Sequence, residues 1–111
     1  MAVIPQTKTG INLFYRANSV AASDAILRAP LYPMHIEASF SNATATDTAT
    51  VVIYGGSTST TNTVLATISL NAIDRREAFT ITSTLPYVSA SITAINNPNA
   101  NVTVIADAVE G

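Results

Sequence analysis

The sequence predicts an all-β domain, an antiparallel β-sandwich with a jelly-roll-like arrangement of seven or eight short strands. Apolar and polar residues alternate with a period of two along most of the chain, which is typical of strands with one buried face. Stretches rich in Gly, Asn, Asp and Pro separate the alternating segments. No helical period of comparable strength occurs, and the best helical candidate, residues 20–28, is short and contains β-forming residues. A small closed barrel is the alternative arrangement.

The predicted strands follow from this alternation. Near the N-terminus, Ile11, Leu13 and Tyr15 are spaced for one strand at a sheet edge. Residues 50–54 (TVVIY) are apolar on both faces, which predicts a central strand or one covered on both sides. Five further segments alternate: residues 34–41, 64–71, 78–83, 87–95 and 102–108. The residues predicted to face the core in these five are Met34, Ile36, Ala38, Phe40, Val64, Ala66, Ile68, Leu70, Phe79, Ile81, Val88, Ala90, Ile92, Ala94, Val102, Val104, Ala106 and Ala108.

The chain of 111 residues is expected to form one domain, residues 11–111, preceded by an extended N-terminal arm, residues 1–10. The arm carries too little apolar material to fold on itself. We therefore expect it to stay loose or to become ordered against a neighbouring chain.

The composition points towards contact with other proteins. Charged residues make up 11% of the chain, and its polarity comes instead from 16 Thr, 10 Ser and 9 Asn. Neutral hydroxyls and amides cost less to desolvate than ions, so such a surface suits packing against another protein. The net charge of −2 and the five scattered basic residues argue against nucleic acid. No signal peptide and no apolar run long enough for a membrane span are predicted.

The segment GGSTSTTNT, residues 55–63, lies between two apolar runs. A phosphate-binding loop would need a Lys and a following helix, and the sequence supplies neither. The segment is therefore predicted to be the loop of a β-hairpin, with exposed hydroxyls that adapt readily to a partner.

Candidate chemical groups are few. His35 and Glu37 share the polar face of one predicted strand, but a metal site would need a third ligand. No nucleophile turn supports a Ser–His–Asp triad, and the chain has no Cys. The aromatic residues do not cluster in the sequence, and Phe40 and Phe79 are expected in the core. The prediction is a protein that is not an enzyme, with no catalytic, cofactor-binding or metal-binding residues.

The densest charge cluster is Asp74, Arg75, Arg76 and Glu77, placed between two predicted strands. One interpretation is a turn whose charges partly cancel. The other is a polar contact with a second chain, because Arg is favoured at interfaces and pairs bidentately with carboxylates.

Two segments carry a resemblance to a known family. They are ATVVIYGGSTSTTNTVLATISLN, residues 49–71, and PYVSASITAINNPNANVTVIADA, residues 86–108. A strand ending in Tyr-Gly, a polar loop, another strand and a last hairpin beginning Pro-Tyr-Val resemble the small β-sandwich virion structural proteins of tailed phages. Within that group the chain is most similar to the capsid decoration, or staple, proteins of epsilon15-type short-tailed phages. The resemblance covers roughly the C-terminal 60 residues and is a pattern rather than a sharp motif.

The resemblance implies a protein made in the host cytoplasm that sits on the outer surface of the virion capsid. There it would bridge neighbouring subunits of the major capsid protein and associate with its own copies as a dimer or higher oligomer. The contacts are expected in residues 1–16, residues 55–63 and Asp74–Glu77. The alternative function is a carbohydrate- or ligand-binding β-sandwich module of a phage fibre, neck or tail.

Overall fold

The computed structural model describes residues 7–8, 11–27, 34–44, 46–81, 85–97, 99–106 and 109–110. These residues form eleven β-strands and no helix, so none of their segments is a helix able to cross a membrane. Seven strands have six residues or more, in agreement with the predicted number. The strands are β1 Thr7–Lys8, β2 Ile11–Ala17, β3 Ala21–Ala22, β4 Ile26–Leu27, β5 Met34–Ser41, β6 Thr48–Gly56, β7 Thr63–Asn71, β8 Arg76–Ile81, β9 Tyr87–Ile95, β10 Asn101–Ala106 and β11 Val109–Glu110.

The long strands form two antiparallel sheets. The first has the order β2-β10-β5-β8, and the second has the order β3-β9-β6-β7, with β4 paired to β9 beside β3. Apart from the β6–β7 hairpin, the chain changes sheet between successive strands from β2 to β10, counting β3 and β4 as one interrupted strand. This order is that of a jelly roll, two Greek keys folded into two packed sheets. The prediction of an all-β, jelly-roll-like sandwich is confirmed, and the closed barrel is not observed.

The core lies between the inner faces of the two sheets. In β5 every second residue is fully or almost fully buried, as the alternation predicts: Met34, Ile36, Ala38 and Phe40. β10 lies beside β5 and buries Val102, Val104 and Ala106 in the same way. The second sheet contributes Ala49, Val51, Ile53, Ile68, Leu70, Val88, Ala90 and Ile92 to the same cluster, which also includes Ile81, Ala43 and Ala100. The strand at residues 50–54 is central, as predicted, because β6 pairs with both β7 and β9.

Two predicted core residues are outside the core, and an irregularity in strand pairing explains each. Ile53 pairs with Ala66 and Tyr54 with Val64, so Leu65 is an extra residue in β7. Leu65 therefore packs against the core, and Val64 is 58% exposed. On the other side of β6, Thr50 pairs with Ala94 but Val51 pairs with Ile92. This shift leaves Ala94 exposed and turns Ile95 towards the core.

Several elements differ from the predicted ones, most clearly β8 and residues 20–28. The sequence predicts that Arg76 and Glu77 lie in a turn between two strands. In the structure β8 begins at Arg76, so both residues belong to a strand. The helical candidate, residues 20–28, contains β3 and β4, which both pair with β9. Of the predicted arm, Thr7–Lys8 pairs with Val109–Glu110, and the rest lies outside the described residues. The side chain of Phe79, and residues 82–83 and 107–108, also lie outside them.

Candidate functional site

The strand pairings place the loops at two opposite ends of the sandwich. Residues 18–20, 42–47, 72–75 and 96–100 connect strands at one end, which we call the polar end. The β6–β7 loop, residues 57–62, lies at the other end, which we call the hairpin end. β6 has nine residues, so at roughly 3.4 Å per residue the two ends are about 30 Å apart.

At the polar end, a buried carboxylate ties two loops together. Asp47 is 5% exposed, and its Oδ2 accepts hydrogen bonds from the Thr44 backbone N–H at 2.8 Å, the Asn97 side-chain amide at 2.9 Å and the Thr44 hydroxyl at 3.1 Å. The Thr44 backbone bond and the Asn97 amide lower the pKa of Asp47 below its ordinary value near 3.8, against the opposing effect of burial. The carboxylate therefore remains ionised and holds the loop of residues 42–47 against that of residues 96–100.

Asn96 adds a second connection between the same two loops. Its side-chain amide donates to the Thr46 carbonyl at 2.9 Å, and its Oδ1 accepts from the Thr48 backbone N–H at 2.9 Å. The Asn96 backbone N–H also donates to the Thr48 carbonyl at 3.3 Å. Backbone groups at this end are thus bonded by side chains, which fixes the loops in one arrangement.

The turn after β7 presents an apolar side chain on a fixed support. The Asn71 Oδ1 accepts from the backbone N–H groups of Ile73 and Asp74, at 2.8 and 2.7 Å. The Arg75 Nε donates to the Ala72 carbonyl at 2.7 Å, and the Arg75 backbone carbonyl accepts from the N–H of Phe40 at 2.7 Å. Ile73, at the tip, is 91% exposed. We call residues 71–75 the Ile73 turn. Its hydrogen bonds constrain the backbone, and the large apolar side chain of Ile73 projects from it into water.

The cluster Asp74–Glu77 is divided by the fold. Arg75 holds the Ile73 turn, and its Nη2 also lies 3.4 Å from the Ala43 carbonyl. Arg76 lies in β8, where its Nε is 3.2 Å from the Glu37 Oε1. Both partners of this ion pair are well exposed, so it contributes little to stability.

The hairpin end confirms that residues 55–63 connect two strands. Gly55 and Gly56 end β6 and Thr63 begins β7, so the loop itself is residues 57–62. This loop folds back over the sheet, because a Cβ on Gly56 would lie 2.6 Å from the Thr60 carbonyl oxygen. The Thr61 and Ser89 hydroxyls are hydrogen-bonded, which anchors the loop to β9.

The outer face of the first sheet carries His35 and Glu37, as predicted. The His35 Nδ1 is 2.9 Å from the Thr80 hydroxyl, and Glu37 pairs with Arg76. A shallow hollow of about 300 Å³ lies over this face. In the part of the chain that the structure describes, no group of three or more potential metal ligands is present. These two residues therefore form ordinary cross-strand contacts.

The fold brings together two aromatic residues that sequence reasoning left apart. Tyr54 pairs with Ser89 and Gly56 pairs with Tyr87, so the two Tyr residues are diagonal neighbours on the outer face of the second sheet. Both are half-buried. Only the register of β6 against β9 shows this proximity, and 33 positions separate the two residues in the sequence.

The edge strand β2 contains a β-bulge that the sequence did not indicate. Val102 pairs with Ala17 and Val104 with Phe14, so Tyr15 and Arg16 both lie opposite Thr103. Arg16 has a φ of 51°, in the left-handed region, and its N–H donates to the Thr103 hydroxyl at 3.1 Å. Its guanidinium lies 5.5 Å from the centre of the exposed Tyr15 ring.

These features define a small two-sheet jelly-roll protein whose loops form two distinct ends. A solved structure with a similar fold is the SPBc2 prophage-derived protein YomS, with a TM-score of 0.60. The similarity covers 99% of this chain and 98% of that chain at 12% sequence identity, so it establishes the shared fold alone. No protein-family description and no curated protein sequence matches the chain.

Proposed function

We propose that this protein is a virion structural protein that binds the outer face of a phage capsid and bridges neighbouring major capsid subunits. The resemblance of residues 49–71 and 86–108 to phage virion proteins supports this function. A jelly-roll fold like that of a prophage-derived protein is compatible with it. The low charge of the surface favours broad contact with other protein surfaces, because little desolvation is required.

The Ile73 turn is the observation that carries the proposal. An exposed Ile on a hydrogen-bonded turn loses little conformational freedom when it enters a pocket, so most of its transfer free energy contributes to affinity. Full burial of such a side chain is worth roughly 1.5–3 kcal/mol. We assign Ile73 as the apolar anchor and the polar groups around it as the rim of the contact.

Bridging requires two contact surfaces on one molecule. The polar end supplies the first, and the hydroxyl-rich loop of residues 57–62 at the hairpin end supplies the second. With about 30 Å between them, the two ends reach different subunits of a shell. Many copies bound over a symmetric lattice would stabilise the shell together, although each individual contact is weak.

Cosedimentation with purified capsids of the encoding phage tests the proposal, together with electron microscopy of the particles. The expected result is saturable binding and density arrayed regularly over subunit boundaries. Ile73→Asp is expected to lower the affinity at least about tenfold, because each 1.4 kcal/mol corresponds to a factor of ten. Thr93→Asp is the control, since Thr93 is exposed in β9 and lies outside the Ile73 turn and the polar-end loops.

Two results would contradict the proposal. One is the absence of binding to any purified particle of that phage by the folded protein. The other is an equal loss of affinity in the Ile73→Asp and Thr93→Asp variants, which would remove the assigned role of the Ile73 turn. Both variants change exposed positions, so circular dichroism is expected to show unaltered folds.

A second candidate function rests on the pair Tyr54 and Tyr87. Neighbouring aromatic rings beside a hydroxyl-rich loop are groups that bind carbohydrate, which favours the module of a fibre, neck or tail. Titration calorimetry against a panel of cell-surface glycans separates the two functions. Saturable heat that disappears in Tyr54→Ala would support the module, and no heat with any glycan would eliminate it.

A further inference from the structure

β7 is a long sheet edge without charged residues or Pro to block further pairing. Within the described residues β7 pairs with β6 and with no other strand, so its second row of backbone groups is open. Its nine residues, TVLATISLN, include no charge and no Pro, and its bulge at Leu65 lies near its start and leaves residues 66–71 regularly paired. Natural edge strands are usually blocked by charged residues, Pro, bulges or short length. The other three edges fit this rule: β3 and β4 have two residues each, β2 is bulged, and β8 begins with Arg76 and Glu77.

A groove of about 540 Å³ runs along this open edge, between β7 and β8. One wall is residues 66–69 and Asn71 of β7, and the other is Asp74, Glu77 and Ala78. Glu77 pairs with Ala38, whose side chain faces the core, so Glu77 lies on the inner side of its sheet. Among the described residues that line the groove, the charged ones are two carboxylates, and no basic group accompanies them.

We propose that this groove receives an extended, basic segment of a partner protein, which adds to the edge of β7 as an antiparallel strand. Main-chain hydrogen bonds to β7 supply sequence-tolerant affinity, and a Lys or Arg near the segment's N-terminus pairs with Asp74 and Glu77. The charge selects this occupant over a second copy of the chain, because β7 of a second copy would bring no cation to the carboxylates. The inference concerns a separate surface from the Ile73 turn and does not depend on the capsid assignment.

The absence of Cys permits a direct test by disulfide tethering. Thr67→Cys places one thiol on an exposed position of β7, and Thr93→Cys places one on β9 of the same sheet as the control. The probes are nine-residue peptides of alternating Thr and Val with one central Cys. One peptide carries Lys at its first position, a second carries Glu there, and a third carries Lys but has Pro in place of two alternating residues. Mass spectrometry measures the adducts at equilibrium with a reductant.

The Thr67→Cys variant is expected to capture the Lys peptide about fivefold more than the Glu peptide, and the Thr93→Cys variant to show no preference. Adding Asp74→Asn and Glu77→Gln to the Thr67→Cys variant should abolish the preference. The Pro peptide should be captured poorly, because it cannot form the ladder.

Three outcomes would contradict parts of this inference. Equal capture of the Lys and Glu peptides by the Thr67→Cys variant would overturn the charge assignment. Equal capture of the Pro peptide would overturn strand addition. A wild-type dimer in sedimentation, dissociated by Thr67→Lys but not by Thr93→Lys, would show that a second copy occupies the edge instead.

Discussion

Adjacent glycines at the end of β6 provide a sharp test of the way the 57–62 loop folds back. A Cβ added to Gly56 would lie 2.6 Å from the Thr60 oxygen, 3.0 Å from the Thr58 oxygen and 3.1 Å from the Thr61 Cα, all of which are backbone atoms. A Cβ added to Gly55 would meet the Leu65 Cδ1 at 2.8 Å and the Leu85 Cδ1 at 3.1 Å, both of which are ends of side chains. Gly56→Ala must therefore displace the loop backbone, and Gly55→Ala requires only a shift of the Leu65 and Leu85 side chains.

The contacts set the expected magnitudes. Overpacking against backbone costs about 1–3 kcal/mol, and loss of the hydrogen bond between Thr61 and Ser89 adds about 1 kcal/mol. Alanine also reduces the conformational entropy of the unfolded chain, which stabilises both variants by about 0.4–1 kcal/mol. Gly56→Ala should therefore lower the free energy of unfolding by about 1–3.5 kcal/mol, and Gly55→Ala should change it by less than about 1 kcal/mol.

Urea unfolding followed by circular dichroism measures both changes, and the melting temperature should fall by roughly 4 °C per kcal/mol in a chain of this size. A double-mutant cycle with Thr61→Val isolates the mechanism, because Thr61→Val should cost less in the Gly56→Ala background, where the hydrogen bond is already broken. Equal destabilisation by the two alanine variants, or a larger loss in Gly55→Ala, would refute the folded-back loop.

The remaining predictions concern the polar end and the bulge. Asp47→Asn should lower the urea midpoint at neutral pH. The wild type should lose the contribution of Asp47 as the pH falls from about 4 through its lower folded-state pKa, so the urea midpoints of the protein and the variant should approach each other over that range; a constant difference would contradict this. The free energy of unfolding of Arg16→Gly should exceed that of Arg16→Val by about 1–2 kcal/mol, because only Gly adopts the positive φ without cost while both variants lose the contact with Tyr15. Equal melting temperatures would argue against the strained backbone.

The parts of the fold that the sequence predicted are those in which a local period decides the outcome. β5 alternates without interruption, and each of its predicted inner residues from Met34 to Phe40 is buried. The bulges at Leu65 and Thr93 have no such signal, because an extra residue in one strand is defined only by its partner strand. Val64 and Ala94 were therefore placed on the wrong face.

The candidate surfaces were predictable in part, for a similar reason. The loop of residues 55–63 and the cluster Asp74–Glu77 stood out by composition, but Ile73 did not, since an Ile in a turn gives no sign of whether it will be exposed. The contact between Asp47 and Asn97 spans 50 positions, and nothing local links the two residues. Side chains such as these come into contact only through the pairing of strands that are distant in the sequence.

The order of the first sheet has a consequence for biosynthesis. β10, the last long strand in the described residues, lies between β2 and β5. Until residues 101–106 leave the ribosome, neither neighbour can complete its ladder, and the apolar faces of β5 and β6 have no finished partner sheet to cover them. Only the β6–β7 hairpin joins strands adjacent in the described chain, so we expect it to form first in a folding reaction slowed by the long-range pairings.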